Sequence, residues 1–95
     1  MPQVDGNSVF ARKDRVLGKS SGGSLVLLDI DSGEYFSTND VGGLVWDLAD
    51  GTRSVSAIAG AVAAEYDVEL DVVEADVTEL VGELVGASLL LPQER

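Results

Sequence analysis

The sequence contains no cysteine and no histidine. Without cysteine, neither a disulfide framework nor a thiolate metal site is available, which suits a reducing cytosol. Without histidine, most zinc chemistry is excluded as well. With neither residue, and with carboxylates scattered over helix surfaces, no nucleophile and base pair can be nominated, so an enzyme is not expected and no cofactor or metal is implied. Long hydrophobic runs are also missing. No apolar stretch approaches the roughly 18 to 20 residues that cross a bilayer, and the N-terminal MPQVDGNSVFARKDR lacks the apolar segment of a secretory signal. A soluble, cytoplasmic chain with no membrane partner is expected. Basic residues are scarce, 6 against 17 acidic ones, for a net charge of −11. Such a field repels nucleic acid and favours partners carrying a basic surface or segment, although solubility alone also accounts for an acidic surface. Four of the six cations, Arg12, Lys13, Arg15 and Lys19, lie close together, so the C-terminal two-thirds is more acidic still.

What is present amounts to one domain. Ninety-five residues, 45% of them hydrophobic, support a single modest core that buries roughly 60 to 65% of the unfolded surface. Residues 1–7 read as a disordered lead-in, 8–91 as the domain and 92–95 as a tail. Between Ser8 and Thr38 three short strands are expected, SVFARK, SLVLLDI and EYFST, separated by the turn chemistry of GKSSGG and DSG. Asp31-Ser32-Gly33 makes a tight hairpin because Gly33 takes positive φ at little cost. A three-stranded meander cannot bury its inner face alone, so the rest of the chain must cover it.

The cover is read as three helices. Asn39 suits the N-cap of the first, with Val41, Leu44, Val45 and Leu48 as its apolar stripe and Gly51 as its stop. Trp46 lies off that stripe, one turn after Gly42, and a large ring beside a gap points to a second element packing closely there. Ser54 caps the second helix, whose buried face is Val55, Ile58 and Val62. The third and longest carries Leu70, Val73, Val77, Leu80, Leu84 and Ser88 at helical spacing, with Asp71 and Glu74 as its capping box. Pro92 ends regular structure. The expected fold class is α+β, winged helix-turn-helix-like, with a three-stranded antiparallel sheet followed by three helices.

Local sequence is more specific than element order. The runs LLDIDSGEYFSTNDVGGLVWDLADGTRSV and AEYDVELDVVEADVTELVGELVGASLL resemble the PqqD-like family, whose members are peptide chaperones of pyrroloquinoline quinone assembly and leader-recognition domains of ribosomally made, modified peptides. The resemblance covers about residues 8 to 91. The family's strand, Asn, spaced Gly and Trp-bearing helix correspond to Tyr35 through Trp46. Its DG turn corresponds to Asp50, Gly51, Arg53, Ser54 and Val55, and its acidic helix with a Gly-Leu-Leu ending to Asp76, Val77 and Leu80 through Leu90. Thr38 stands where the family usually has leucine, and Ser88 where it has glycine. A free-standing chain of this size is most similar to the separate leader-binding subunits that lasso-peptide pathways supply beside their peptidase.

The resemblance implies that the leader of a precursor peptide binds as an added antiparallel strand on the edge Glu34 to Thr38, in the groove between that strand and the third helix. The implied peptide-binding residues are Glu34, Tyr35, Phe36, Ser37 and Thr38 on the strand, with Val73, Asp76, Val77, Leu80, Glu83 and Leu84 on the helix. An unpaired edge gives sequence-tolerant affinity while side-chain pockets select. Strand alternation puts Tyr35 and Phe36 on opposite faces; one seats the sheet and the other flanks the groove, and the sequence leaves both assignments open. Asp76 and Glu83, seven residues apart, sit together at the margin of the apolar stripe, suited to a basic leader residue or simply to solvent. The implied partners are the precursor peptide and a modifying enzyme or leader peptidase. An alternative is a structural or activating subunit that does not itself hold the leader.

Other readings fit less well. A DNA-binding winged helix needs a basic recognition helix, whereas residues 70–88 carry Asp71, Glu74, Asp76, Glu79 and Glu83 with no Lys or Arg. A carrier-protein serine must begin a helix, whereas Ser32 sits in a hairpin turn. Asp29-x-Asp31-x-Gly33 is not a calcium loop, because Glu34 stands where the loop needs glycine and Asp40 where it needs glutamate.

Overall fold

The computed structural model describes residue 4 and residues 6–93. In chain order the elements are β1 (Val9–Arg12), β2 (Val16–Ser21), β3 (Ser24–Asp29), β4 (Tyr35–Asn39), α1 (Asp40–Leu48), β5 (Asp50–Ser54), α2 (Val55–Tyr66), α3 (Leu70–Gly86) and β6 (Leu90–Pro92). A three-stranded antiparallel meander followed by three helices is the α+β arrangement expected from the sequence, but its strands are not all the expected ones. The meander is β2-β3-β4. The segment GKSSGG is a turn only at Gly22 and Gly23, both at positive φ; Val16 to Ser21 pairs without interruption with Asp29 to Ser24. A two-residue Gly-Gly loop matches the twist of the flanking strands, so polar Lys19, Ser20 and Ser21 are carried into the ladder. SVFARK does not join the meander. Its β1 is the centre of a second antiparallel sheet, ordered β5-β1-β6.

That second sheet corrects two further expectations. Asp50 to Ser54, read as a turn, pairs with β1, and Pro92, read as the end of regular structure, is the last residue of edge strand β6, opposite Phe10. Proline is tolerated there because an edge strand does not need every N–H. Backbone bonds also hold the segments that flank this sheet: Gln93 N–H donates to the Val9 carbonyl at 2.8 Å, and Ser56 N–H, in the first turn of α2, donates to the Gly6 carbonyl at 3.0 Å. Half-buried Val4 packs against the core. Of the expected lead-in and tail, positions 1–3, 5, 94 and 95 lie outside the described residues.

Helix ends follow local chemistry. Asn39 caps α1 by accepting from Gly42 N–H at 3.0 Å, and Ser54 caps α2 by accepting from Ala57 N–H at 3.2 Å. The capping box of α3 does not form. Its N-cap is Glu69, with no side-chain bond, and Asp71 lies inside the first turn, where it complements the helix dipole. At the other end Ser88 takes the left-handed conformation (φ 62). Its N–H donates to the Val85 carbonyl at 3.0 Å, and Leu89 N–H donates to the Leu84 carbonyl at 2.9 Å. This paired closure is the one for which glycine is usual. α1 stops at Leu48 with Ala49 as its cap, and Gly51 (φ 88) belongs to β5.

One core joins both sheets and all three helices. Leu25 and Leu27 of the meander meet Val45 and Trp46 of α1, Ile58 and Val62 of α2, Val77 and Val81 of α3, and Phe10 of β1. Trp46 is buried, with the Arg12 guanidinium 6.0 Å from its ring centroid. The element packed closely against the gap at Gly42 is β4: a Cβ on Gly42 would overlap the side chain of Thr38, so α1 can lie against the strand only with glycine there.

Buried Asp29 joins the β1–β2 connection to the hairpin. It accepts from Lys13 Nζ at 2.8 Å and from the N–H groups of Asp31 and Ser32 at 3.0 and 3.3 Å. The Lys13 hydrogen bond, helped by those N–H groups and opposed by burial, holds its carboxyl below the usual aspartate value. A lowered folded value means that this stabilisation is complete above the ordinary carboxylate value, about pH 4, and is lost as pH falls through the folded one. Asp29→Asn is therefore expected to lower stability at pH 7, with the gap to wild type narrowing progressively as pH falls below about 4, as read by a series of urea melts across that range.

Candidate functional site

The meander has two edges, and the one formed by β4 lies beside α3. No described segment pairs with its outer side. Asp29 N–H donates to the Glu34 carbonyl at 3.0 Å, which fixes the phase of the β3–β4 ladder. The register then runs Leu28↔Tyr35, Leu27↔Phe36, Val26↔Ser37 and Leu25↔Thr38. In an antiparallel pair hydrogen-bonded and non-hydrogen-bonded positions alternate, so Phe36 and Thr38 direct their backbone groups inward to β3. Tyr35 and Ser37 direct theirs outward. Glu34 lies outside the strand; its carbonyl is used by Asp29 and its N–H donates to Ser32 Oγ at 3.2 Å. The edge is therefore Tyr35–Asn39, not Glu34 to Thr38.

Side chains alternate with the same period. Phe36 and Thr38 are half-buried on the helix side, and Phe36 packs against the core. Tyr35, 74% exposed, lies on the opposite face of the sheet with Ser37. That assigns the two aromatics: Phe36 seats the sheet, and Tyr35 is turned away from α3.

Between β4 and α3 lies a cleft of about 270 Å³ lined by Thr38, Asn39, Val41, Asp76, Val77 and Leu80. A more apolar cleft of about 190 Å³ adjoins it, sharing Val41, Asp76 and Val77 and adding Val62, Tyr66, Val68 and Val73. Together they form a groove with an apolar floor and Asp76 at its margin. Val77, only 1% exposed, is part of the core as well as the floor. The Tyr66 phenol is held above its usual value by desolvation and then by the nearby Asp40 carboxylate. Among the described residues no three side chains come together that could hold a metal ion.

Of the residues implied by the resemblance, the structure thus gathers Thr38, Asp76, Val77 and Leu80 in one cleft, with Val73 in its neighbour. Glu34, Tyr35, Phe36, Ser37, Glu83 and Leu84 line neither. Leu84 is 1% exposed inside the core, and Glu83 is exposed on α3. Asn39, Val41, Val62, Tyr66 and Val68 line the groove without belonging to the implied set. Spacing places Val41 on the apolar stripe of α1 without marking it as open to the groove, and Tyr66 and Val68 flank the α2–α3 connection, where no periodic pattern marks them.

Comparison with known proteins gives a consistent family. The model for coenzyme PQQ synthesis protein D (PqqD) matches residues 24–90. TbiB1 in complex with the TbiA(beta) leader peptide is 28% identical, with a TM-score of 0.75 over 90% of this chain and 99% of that one. Lasso peptide synthetase B1 complexed with its leader peptide is 30% identical, with a TM-score of 0.74 over 87% and 98%. The PqqD truncation of Methylobacterium extorquens PqqCD, a stand-alone recognition element for ribosomally synthesized and post-translationally modified peptides, is 26% identical, with a TM-score of 0.76 over 97% and 95%. No curated protein matches the chain in sequence. The matched region contains the whole of β3, β4 and all three helices, edge and groove included, and the chain belongs to the PqqD family.

Proposed function

We propose that this chain is a non-catalytic, cytoplasmic adaptor that captures the leader of a ribosomally synthesised precursor peptide by strand addition to β4 and presents it to a modifying enzyme or leader peptidase, in lasso peptide biosynthesis. The observation that carries this reading is the unpaired β4 edge beside a groove shared with α3. The leader-bound state of two relatives supports it. Backbone groups of Tyr35 and Ser37 supply affinity without regard to leader sequence, and the floor of Val73, Val77 and Leu80 selects apolar leader side chains. Thr38 lines the groove, while Phe36 and Leu84 hold the strand and helix in place behind it. Asp76, with Glu83 further along α3, favours a basic leader residue. No chemistry is required of the adaptor: tethering raises the effective concentration of the core peptide at a separate active site into the range of about 1 mM.

The direct test is calorimetric titration of the isolated chain with the leader peptide of its own precursor, alongside Asp76→Lys. Wild type is expected to bind, and the variant to bind about two- to fivefold more weakly, with the gap narrowing as salt rises. An absence of binding would leave the chain as an activating subunit only.

A further inference from the structure

No described element covers the outer face of the meander, and it is apolar where a solvent face should not be. Its cross-strand rows are Leu17, Leu28, Tyr35 and, next to them, Lys19, Val26, Ser37. Leu17 is 58% exposed, and Val26 and Tyr35 are also open to solvent. A shallow depression of about 540 Å³ runs between Leu17, Gly18, Lys19, Val26, Leu28 and Tyr35. The charge on this face is as unusual as its apolarity. Seventeen acidic residues belong to the chain, yet the three strands hold a single carboxylate, Asp29, which is buried and paired with Lys13. The only charged group of the strands' outer face is Lys19, which makes no ion pair with another described residue.

We propose that this face is a second docking surface, for a folded protein that presents an apolar patch bordered by carboxylates, and that this protein is the enzyme to which the leader is delivered. The inference rests on the adaptor reading above. Local charge argues against a second copy as occupant, because the same face of a second copy would bring another Lys19 and no surface carboxylate to meet Lys19. A leader strand added to β4 extends the sheet without covering its outer face, so both surfaces can be occupied at once.

The test uses the full-length chain with two probes, its precursor's leader peptide and the leader peptidase that cleaves that precursor. The variants are Leu17→Thr, which replaces the apolar side chain with a polar, β-branched strand former, and Lys19→Glu. Both positions are exposed, so thermal melts should match wild type. Leader affinity is expected to be unchanged, while affinity for the peptidase falls about tenfold or more in each. Peptidase affinity equal to wild type in both variants, or no peptidase binding by wild type, overturns the proposal. Self-association of wild type that Leu17→Thr abolishes, read by sedimentation, overturns it in favour of a second copy. If wild type fails to bind leader but the peptidase results hold, the adaptor reading fails and this surface stands.

Discussion

Ser37→Pro is expected to leave the chain folded and to remove most of its leader affinity. The backbone N–H of Ser37 points out of the sheet at the open edge, so the β3–β4 ladder does not use it. Proline is tolerated in edge strands where the missing N–H faces solvent. Against a leader strand the same change removes one donor, leaves a leader carbonyl without its partner and sets a ring against the incoming backbone. An unmade hydrogen bond of this kind costs about 1 to 3 kcal/mol, so a loss of about 5- to 150-fold is expected. Phe36→Pro supplies the contrast. Its N–H points into the ladder and its ring packs on the core, so that variant should lose about 3 kcal/mol or more of stability. Melts and titrations on the two variants separate edge from ladder; equal leader binding by Ser37→Pro and wild type would contradict the edge assignment.

The largest loss of stability is expected from Trp46→Ala. The indole is buried where α1 meets the core and lies under the Arg12 guanidinium. Truncating such a ring costs about 3 to 5 kcal/mol, a large share of the roughly 5 to 15 kcal/mol that holds a domain of this size together. At about 4 to 8 °C per kcal/mol, the melting temperature should fall by more than about 12 °C. Trp46 lines neither part of the groove, so the fraction that remains folded at low temperature should bind leader as wild type does. A melt unchanged by the substitution would mean that the ring is not core.

Where residues act on close neighbours, the sequence could be read. Gly33 at positive φ, the caps at Asn39 and Ser54, and the buried positions of α2 need only a few adjacent residues to be satisfied. Strands β2, β5 and β6 could not be read, because their existence depends on partners far along the chain. Asp50 to Ser54 has no apolar alternation and becomes a strand because Val9 and Ala11 lie opposite. The same limit applies to the groove. Helical spacing placed Val73, Val77, Leu80 and Leu84 on one face, but which part of that face stays open depends on where β4 lies. That position depends on the Thr38–Gly42 contact, which brings α1 and the strand together. Leu84 falls beyond the open part, and Tyr35, though adjacent to the right residue, belongs to the opposite face of the sheet.

The account stands on strand addition, and N-methylation of the leader backbone tests it most directly. Each amide of the central leader segment is methylated in turn and the affinity measured by calorimetry. In an antiparallel pair only alternate amides of the added strand face β4, so binding should weaken with a period of two residues, by about tenfold or more at facing amides and little between them. Uniform tolerance along the segment, or losses without that alternation, would contradict an added strand on β4.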